Sequence, residues 1–147
     1  MIRSLSSLSK CEQGLVFASV LAGFENNHHF PWTTESLQQQ VIVDEGLFWE
    51  IGGEAVGFVI WRDLREEGEI LTLASALKAR RMGYMEKLLL GLFDANSQVC
   101  KWWIEVHELN LGALNLYTKM GFQKVSERRG YYSDGASALI LGKTITP

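Results

Sequence analysis

The chain has 147 residues, of which 47% are hydrophobic, and a formal net charge of −3. This length and composition are typical of one globular domain, which we predict over residues 1–147. The negative charge excludes a surface that wraps nucleic acid, because such a surface needs a large excess of Lys and Arg. No apolar run approaches the roughly 20 residues of a membrane span, so we expect no membrane partner either.

The cysteines and histidines do not form a metal-binding pattern. Cys11 and Cys100 are distant in sequence, which is more typical of a reducing compartment than of a disulfide framework. The histidines at positions 28, 29 and 107 do not combine with them at any familiar ligand spacing. We therefore predict no metal and a cytoplasmic location.

The first predicted element is a helix over about residues 9–23, capped by Ser9 or Ser6. The apolar run 14–24 within this region also has the outline of a signal peptide. We favour a buried helix, because polar residues interrupt the approach to the run and no small-residue cleavage site follows it.

The middle of the chain predicts two further helices and four strands. Thr33 or Thr34 caps a short helix that runs to Val41 and has Glu35 in its first turn. Strands are expected at 46–51, 55–61, 69–75 and 101–107, and a leucine-rich helix at 84–93. So many leucines are typical of a helix that lies on a sheet.

The C-terminal third predicts one helix and two closing strands. The helix covers about residues 110–120, with Asn110 as its N-cap and Gly121 as a left-handed C-cap. The strands are expected at 122–125 and 138–141. The order of elements along the chain predicts a mixed sheet with helices on its faces, an α/β (α+β) fold.

A basic segment with one glycine precedes the leucine-rich helix. Backbone N–H groups at a helix N-terminus bind anions, and Gly83 would allow a close approach. Lys78, Arg80 and Arg81 add positive charge, so pyrophosphate is a natural ligand. The residues alone leave open the alternative of a solvated basic loop.

Two side chains could carry acid–base chemistry. Strand alternation places Glu105 on one face with Trp103 and His107, and it is the only carboxylate of that apolar strand. Tyr117 follows on the next helix, where its hydroxyl could donate a proton to a leaving group. The alternatives are a solvent-exposed glutamate at a sheet end and a tyrosine that only packs in the core.

Taken together and in this order, these segments resemble the GNAT acetyltransferase superfamily, and within it the bacterial ribosomal-protein-alanine N-acetyltransferases. The matching motifs are Phe30-Pro31-Trp32-Thr33, Arg80-x-x-Gly83-x-Met85, Ile104-Glu105-Val106, Asn110, Ala113-Leu114-x-Leu116-Tyr117, Met120-Gly121-Phe122 and Arg128-Arg129-Gly130-Tyr131-Tyr132. The resemblance covers most of the chain and is most specific over 104–132. It implies the GNAT fold, a central mixed, mostly antiparallel sheet flanked by helices, and acetyl transfer from acetyl-CoA to an amine.

The resemblance also implies a role for each motif. Glu105 would be the general base and Tyr117 the general acid. Acetyl-CoA, the co-substrate, would bind through Leu73, Ala74, Ser75, Arg80, Arg81, Met82, Gly83, Tyr84, Met85 and Asn110. The acceptor groove would be lined by Trp32, Tyr131 and Tyr132.

The implied acceptor is the N-terminal α-amine of a protein, such as a ribosomal protein, and the implied assembly is a monomer. An α-amino group has a pKa of about 8 against roughly 10.4 for lysine, so its deprotonation at neutral pH costs ~3 kcal/mol less. A single glutamate can manage that proton. An acetyltransferase for a small-molecule or lysine amine is an alternative within the same class.

Two departures from the family pattern lie on the cofactor side. Met85 replaces the second Gly or Ala of the acetyl-CoA motif, where a long side chain could crowd the phosphates. The strand end reads Ala74-Ser75-Ala76-Leu77, where relatives usually have Ala-Val-x-Pro. These departures support a further alternative, a GNAT-fold interaction module that has lost catalysis.

Overall fold

The computed structural model describes residues 1–22, 30 and 32–145. The predicted end of the first helix at Gly23, the pair His28 and His29, and Pro31 of the aromatic motif lie outside the described residues. The strands are β1 (Ile2–Ser4), β2 (Glu45–Ile51), β3 (Glu54–Asp63), β4 (Glu67–Ser75), β5 (Lys101–His107), β6 (Gln123–Arg128) and β7 (Ala138–Thr144). The helices are α1 (Lys10–Leu21), α2 (Thr34–Val43), α3 (Tyr84–Ala95) and α4 (Leu111–Lys119), with 3-10 turns at Leu5–Ser7 and Leu77–Ala79.

The described strands form one sheet in the order β1-β2-β3-β4-β5-β7-β6. The pair β4–β5 is parallel, and the other neighbours are antiparallel. The predicted fold class, a mixed and mostly antiparallel sheet flanked by helices, is confirmed. Strand β1 was not predicted, because three residues are too short to show an alternating pattern, and it forms only by pairing with the edge of β2.

Two capping boxes fix where the first helices begin. The Ser9 side chain accepts the Glu12 backbone N–H at 3.2 Å, and the Glu12 carboxylate accepts the Ser9 N–H at 3.0 Å. Thr33 and Ser36 make the same reciprocal pair at the start of α2. Each box satisfies two N–H groups that a helix end leaves without partners. Ser9 and Thr33 are therefore the caps, rather than the alternatives Ser6 and Thr34.

Helices pack on both faces of the sheet, and β3, an interior strand, is buried on both. Val59 and Trp61 of β3 belong to the core beneath α3 and α4, whereas Phe58 and Ile60 belong to the core beneath α1 and α2. Phe17 and Val20 of α1 are fully buried in the second core, which confirms the predicted buried helix. None of the helices in the described part of the chain is long and apolar enough to cross a membrane.

Gly68→Ala is expected to destabilise the fold by about 1–3 kcal/mol, because a Cβ at Gly68 would lie 2.5 Å from the ring of the fully buried Trp102. Urea unfolding measures the loss. Gly112→Ala is the matched control, since a Cβ there meets nothing within 4 Å and a helical alanine is favourable. Equal stability of Gly68→Ala and wild type would contradict the packing of the indole against β4.

Candidate active site

The candidate site lies where β4 and β5 separate. These parallel strands pair from Glu67 with Lys101 to Ile70 with Ile104. Both continue further without additional pairing in register, to Ser75 and His107. The separation opens a cavity of about 300 Å³, bordered by 71–73 on β4 and by 105–107 on β5.

A β-bulge in β4 lies beside this cavity. Trp61 pairs with Ile70 and Ile60 pairs with Thr72, so Leu71 is an extra residue without an opposite partner on β3. A bulged residue interrupts the regular ladder and bends its strand. Leu71 itself lines the cavity at this interruption of the ladder.

Glu105 lines the cavity from β5. Its neighbours Ile104 and Val106 are buried in the core beneath α3 and α4, while Trp103 and Glu105 are half-buried on the other face. The predicted alternation of this strand is confirmed. The carboxylate therefore reaches the cavity from a rigid, well-packed strand, which is what a proton acceptor needs to keep its position.

Tyr117 reaches the same cavity from α4. Its side chain is 2% exposed, and its ring packs edge-on against Phe122 at 5.5 Å. Burial raises the pKa of the Tyr117 phenol well above its ordinary value. The hydroxyl therefore stays protonated and can act as a proton donor, facing a cavity that Glu105 also borders.

Asn110 also lines the cavity, and it caps α4. Its side-chain oxygen accepts the Ala113 backbone N–H at 3.3 Å, as predicted for an N-cap. At the other end of α4, Gly121 adopts the predicted left-handed conformation with a φ of 93°. Gly121 follows the C-cap residue Met120, so α4 has a local backbone stop at each end.

The N-terminus of α3 has the features of an anion site. Gly83 is its N-cap with a φ of 78°, no side chain caps the first turn, and a Cβ at this glycine would meet nothing within 4 Å. The N–H groups of that turn are open to an anion, and Arg80 and Arg81 are exposed beside them. Lys78 instead pairs with Glu54.

Met85 does not lie over these N–H groups. Its side chain packs on β3, where its Cε is 2.1 Å from the position that a Cβ of Gly57 would occupy. The absence of a side chain at Gly57 gives Met85 this space. The neighbouring Tyr84 stacks on Trp49 at 5.8 Å, so both of these side chains serve packing.

The structure brings together seven of the predicted site residues around the cavity. These are Trp32, Leu73, Glu105, Asn110, Tyr117, Tyr131 and Tyr132. Ala74, Ser75 and the segment 80–85 do not line it.

The aromatic side of the cavity contains residues that the sequence did not single out. His107 and Phe30 line it together with Glu69 and Thr72. The sequence could have indicated His107 as a site residue, because strand alternation places it on the same face as Glu105. Tyr132 stacks on His107 at 4.6 Å, and burial together with the nearby Glu105 carboxylate raises the pKa of Tyr132.

A second cavity of about 320 Å³ adjoins the first. The two share Glu69, Ile104 and Glu105. The second extends across Trp103 to Arg128. Glu105 therefore borders both cavities. Among the described residues no cluster of His, Cys, Asp or Glu could hold a metal ion.

Comparisons of the sequence agree with this geometry. The model of the acetyltransferase (GNAT) family matches residues 16–122. An N-alpha-acetyltransferase of Sulfurisphaera tokodaii is 31% identical over 107 residues, which cover 63% of this chain and 64% of that protein, slightly less than two thirds of its length. The [ribosomal protein bS18]-alanine N-acetyltransferase of Escherichia coli K12 is 28% identical over 120 residues, covering 78% of this chain and 80% of the relative.

Solved structures have the same fold. The crystal structure of the ribosomal-protein-S18-alanine N-acetyltransferase from Escherichia coli superposes with a TM-score of 0.82 at 25% identity, covering 100% of this chain and 94% of the other. Ard1 from Thermoplasma volcanium superposes with a TM-score of 0.83 at 21% identity, covering 100% and 98%.

Proposed function

The chain belongs to the acetyltransferase (GNAT) family, and we propose that it transfers the acetyl group of acetyl-CoA to the N-terminal α-amine of a polypeptide. The observation that carries this proposal is the meeting of Glu105 and Tyr117 in one cavity at the separation of β4 and β5. A carboxylate and a protonated phenol on opposite elements are the acid–base pair that such a transfer needs.

Two arguments support an α-amine as the acceptor: the names of the relatives and the free-energy cost of deprotonating the amine. The archaeal and bacterial relatives are named for N-alpha-acetylation and for acetylation of an alanine of ribosomal protein bS18. An α-ammonium loses its proton at neutral pH at a cost ~3 kcal/mol lower than lysine, which suits a single glutamate. A ribosomal protein is the acceptor that we place first.

The side chains around the cavity divide the work of the transfer. Acetyl-CoA supplies a thioester whose carbonyl carbon the amine attacks. Glu105 accepts the proton that the ammonium must lose before attack and releases it to solvent. As the C–N bond forms and the C–S bond breaks, Tyr117 donates a proton to the departing sulfur, and the second proton that the nitrogen sheds restores the phenol. The backbone N–H of the bulge at Leu71, which lines the cavity, would be available to the carbonyl oxygen. The turn at Gly83 would hold the pyrophosphate.

We also propose a domain extent, a cellular location and an assembly state for the protein. One sheet formed by strands from Ile2 to Thr144 supports a single domain over residues 1–147. Cys11 and Cys100 are free and exposed, which is compatible with the reducing cytoplasm that we propose as its location. We also propose that the protein acts as a monomer and without nucleic acid.

Acetyl-CoA is expected to bind at micromolar concentration and, at about 100 times its Kd, to raise the melting temperature by roughly 5–10 °C. Calorimetry and thermal unfolding measure this binding.

Peptides with a free N-terminus, among them one beginning with alanine, are then expected to be acetylated, whereas N-terminally blocked copies are not. Acetylation of a blocked peptide at lysine would contradict the α-amine proposal. Absence of binding at millimolar acetyl-CoA would refute the proposed acetyltransferase activity.

A further inference from the structure

His107 connects the end of β5 to the loop between β6 and β7. Its side chain is only 4% exposed. Its Nδ1 accepts the Leu109 backbone N–H at 3.1 Å, and its Nε2 lies 2.8 Å from Oδ2 of Asp134, 27 residues further along the chain. Because Nδ1 must offer a lone pair to Leu109, the neutral ring carries its proton on Nε2 and donates it to Asp134.

Asp134 also forms a hydrogen bond with the backbone of its own loop. Its second oxygen, Oδ1, accepts the Ala136 N–H at 2.9 Å. The Ala136 carbonyl in turn accepts the Tyr132 N–H at 3.1 Å. Each carboxylate oxygen therefore has its own donor, and the side chain joins His107 to the backbone that carries Tyr132.

Ring contacts link His107 to the two tyrosines that line the cavity. The His107 ring stacks on Tyr132 with an angle of 27° between the planes. Tyr132 meets Tyr131 edge-on at 5.2 Å, and both tyrosines line the cavity that holds Glu105. Asp134 does not line the cavity, so its effect on the site must pass through its neighbours.

We propose that His107 and Asp134 are positioning residues of the acceptor site, which hold Tyr132 beside Glu105 before the acceptor arrives. This inference rests on the proposed function, because it concerns the amine side of the same cavity. If the Tyr132 side chain is already held in its bound position, less conformational entropy is lost when a peptide binds against it. Acceptor affinity therefore depends on the pair, whereas the chemical step and acetyl-CoA binding do not.

Asp134→Ala is expected to raise the KM for a peptide with a free N-terminus by about tenfold, with kcat and the KM for acetyl-CoA within about twofold of wild type. Asp134→Asn is expected to behave similarly, because an amide has only one oxygen for the two donors. Arg129→Ala on the same loop is the matched control, since its side chain is 88% exposed and its ion pair with Glu127 lies at the surface.

His107→Gln and His107→Ala separate hydrogen bonding from packing. A glutamine amide can accept from Leu109 and donate to Asp134, so His107→Gln is expected to restore part of the acceptor affinity that His107→Ala loses. In the background of Asp134→Ala that advantage of glutamine disappears, because its partner is gone. An advantage of the same size in both backgrounds would overturn the link through Asp134.

Hydrogen exchange of the free protein tests the positioning without any substrate. Asp134→Ala is expected to speed exchange of the Tyr132 and Ala136 amides, and unchanged exchange in a folded variant would overturn the proposal. So would an unchanged acceptor KM, or a fall in kcat alone. If wild type acetylates no peptide, the proposed function fails, while the exchange rates still decide whether the pair holds the loop.

Discussion

Glu105→Gln is expected to lower kcat by about 10²–10⁴-fold while acetyl-CoA affinity stays near the wild-type value. Glutamine has nearly the same shape, but it cannot accept the proton that an ammonium must lose before attack. The side chain lines the cavity rather than the turn at Gly83, so cofactor binding should not depend on its charge. Release of free CoA thiol with a saturating peptide measures kcat, and calorimetry measures affinity.

The matched control for this prediction is Glu67→Gln. Glu67 lies on the neighbouring strand, outside both cavities, where its carboxylate accepts the Trp103 indole N–H at 3.2 Å. A glutamine oxygen can still accept that bond, so we expect kcat within about twofold of wild type. Wild-type turnover by folded Glu105→Gln would remove Glu105 from its role as base.

The sequence was informative wherever structure depends on neighbours along the chain. Alternation along 101–107 placed Glu105 correctly, because a strand buried on one face repeats every two residues. Asn110 and Gly121 predicted both ends of α4, since caps are local hydrogen-bond and φ requirements. Strand β5 has the predicted bounds, whereas the other predicted strands extend one to three residues further at an end, where polar residues and glycines carry no alternating apolar pattern.

The cavity itself depends on contacts between distant segments. It exists because β4 and β5 stop pairing after Ile70 and Ile104, and no residue type marks that point in the sequence. The space for Met85 of α3 comes from Gly57, which lies 28 positions earlier, on strand β3. The link from His107 to Asp134 likewise joins residues that are remote in sequence. Packing across elements decides these features, and one sequence without its fold does not reveal them.

Tyr117→Phe is expected to lower kcat by about 10²-fold, because the departing CoA sulfur then lacks its proton donor. Phenylalanine keeps the ring that packs against Phe122, so the fold and acetyl-CoA affinity should be retained. Steady-state kinetics over a range of pH measure the effect, and thermal unfolding checks the fold. Unchanged kcat in the folded variant would contradict the assignment of Tyr117 as the acid.

The pH dependence sharpens this prediction. Burial raises the pKa of Tyr117 above its ordinary value of 10.0, so the folded protein favours the neutral phenol. That preference contributes stability which is fully present below about pH 10 and is lost only as the pH rises further. An assay between about pH 6 and 9 therefore neither ionises Tyr117 nor unfolds the protein through it. Any alkaline fall in kcat in that range must come from another group, and it should persist in Tyr117→Phe.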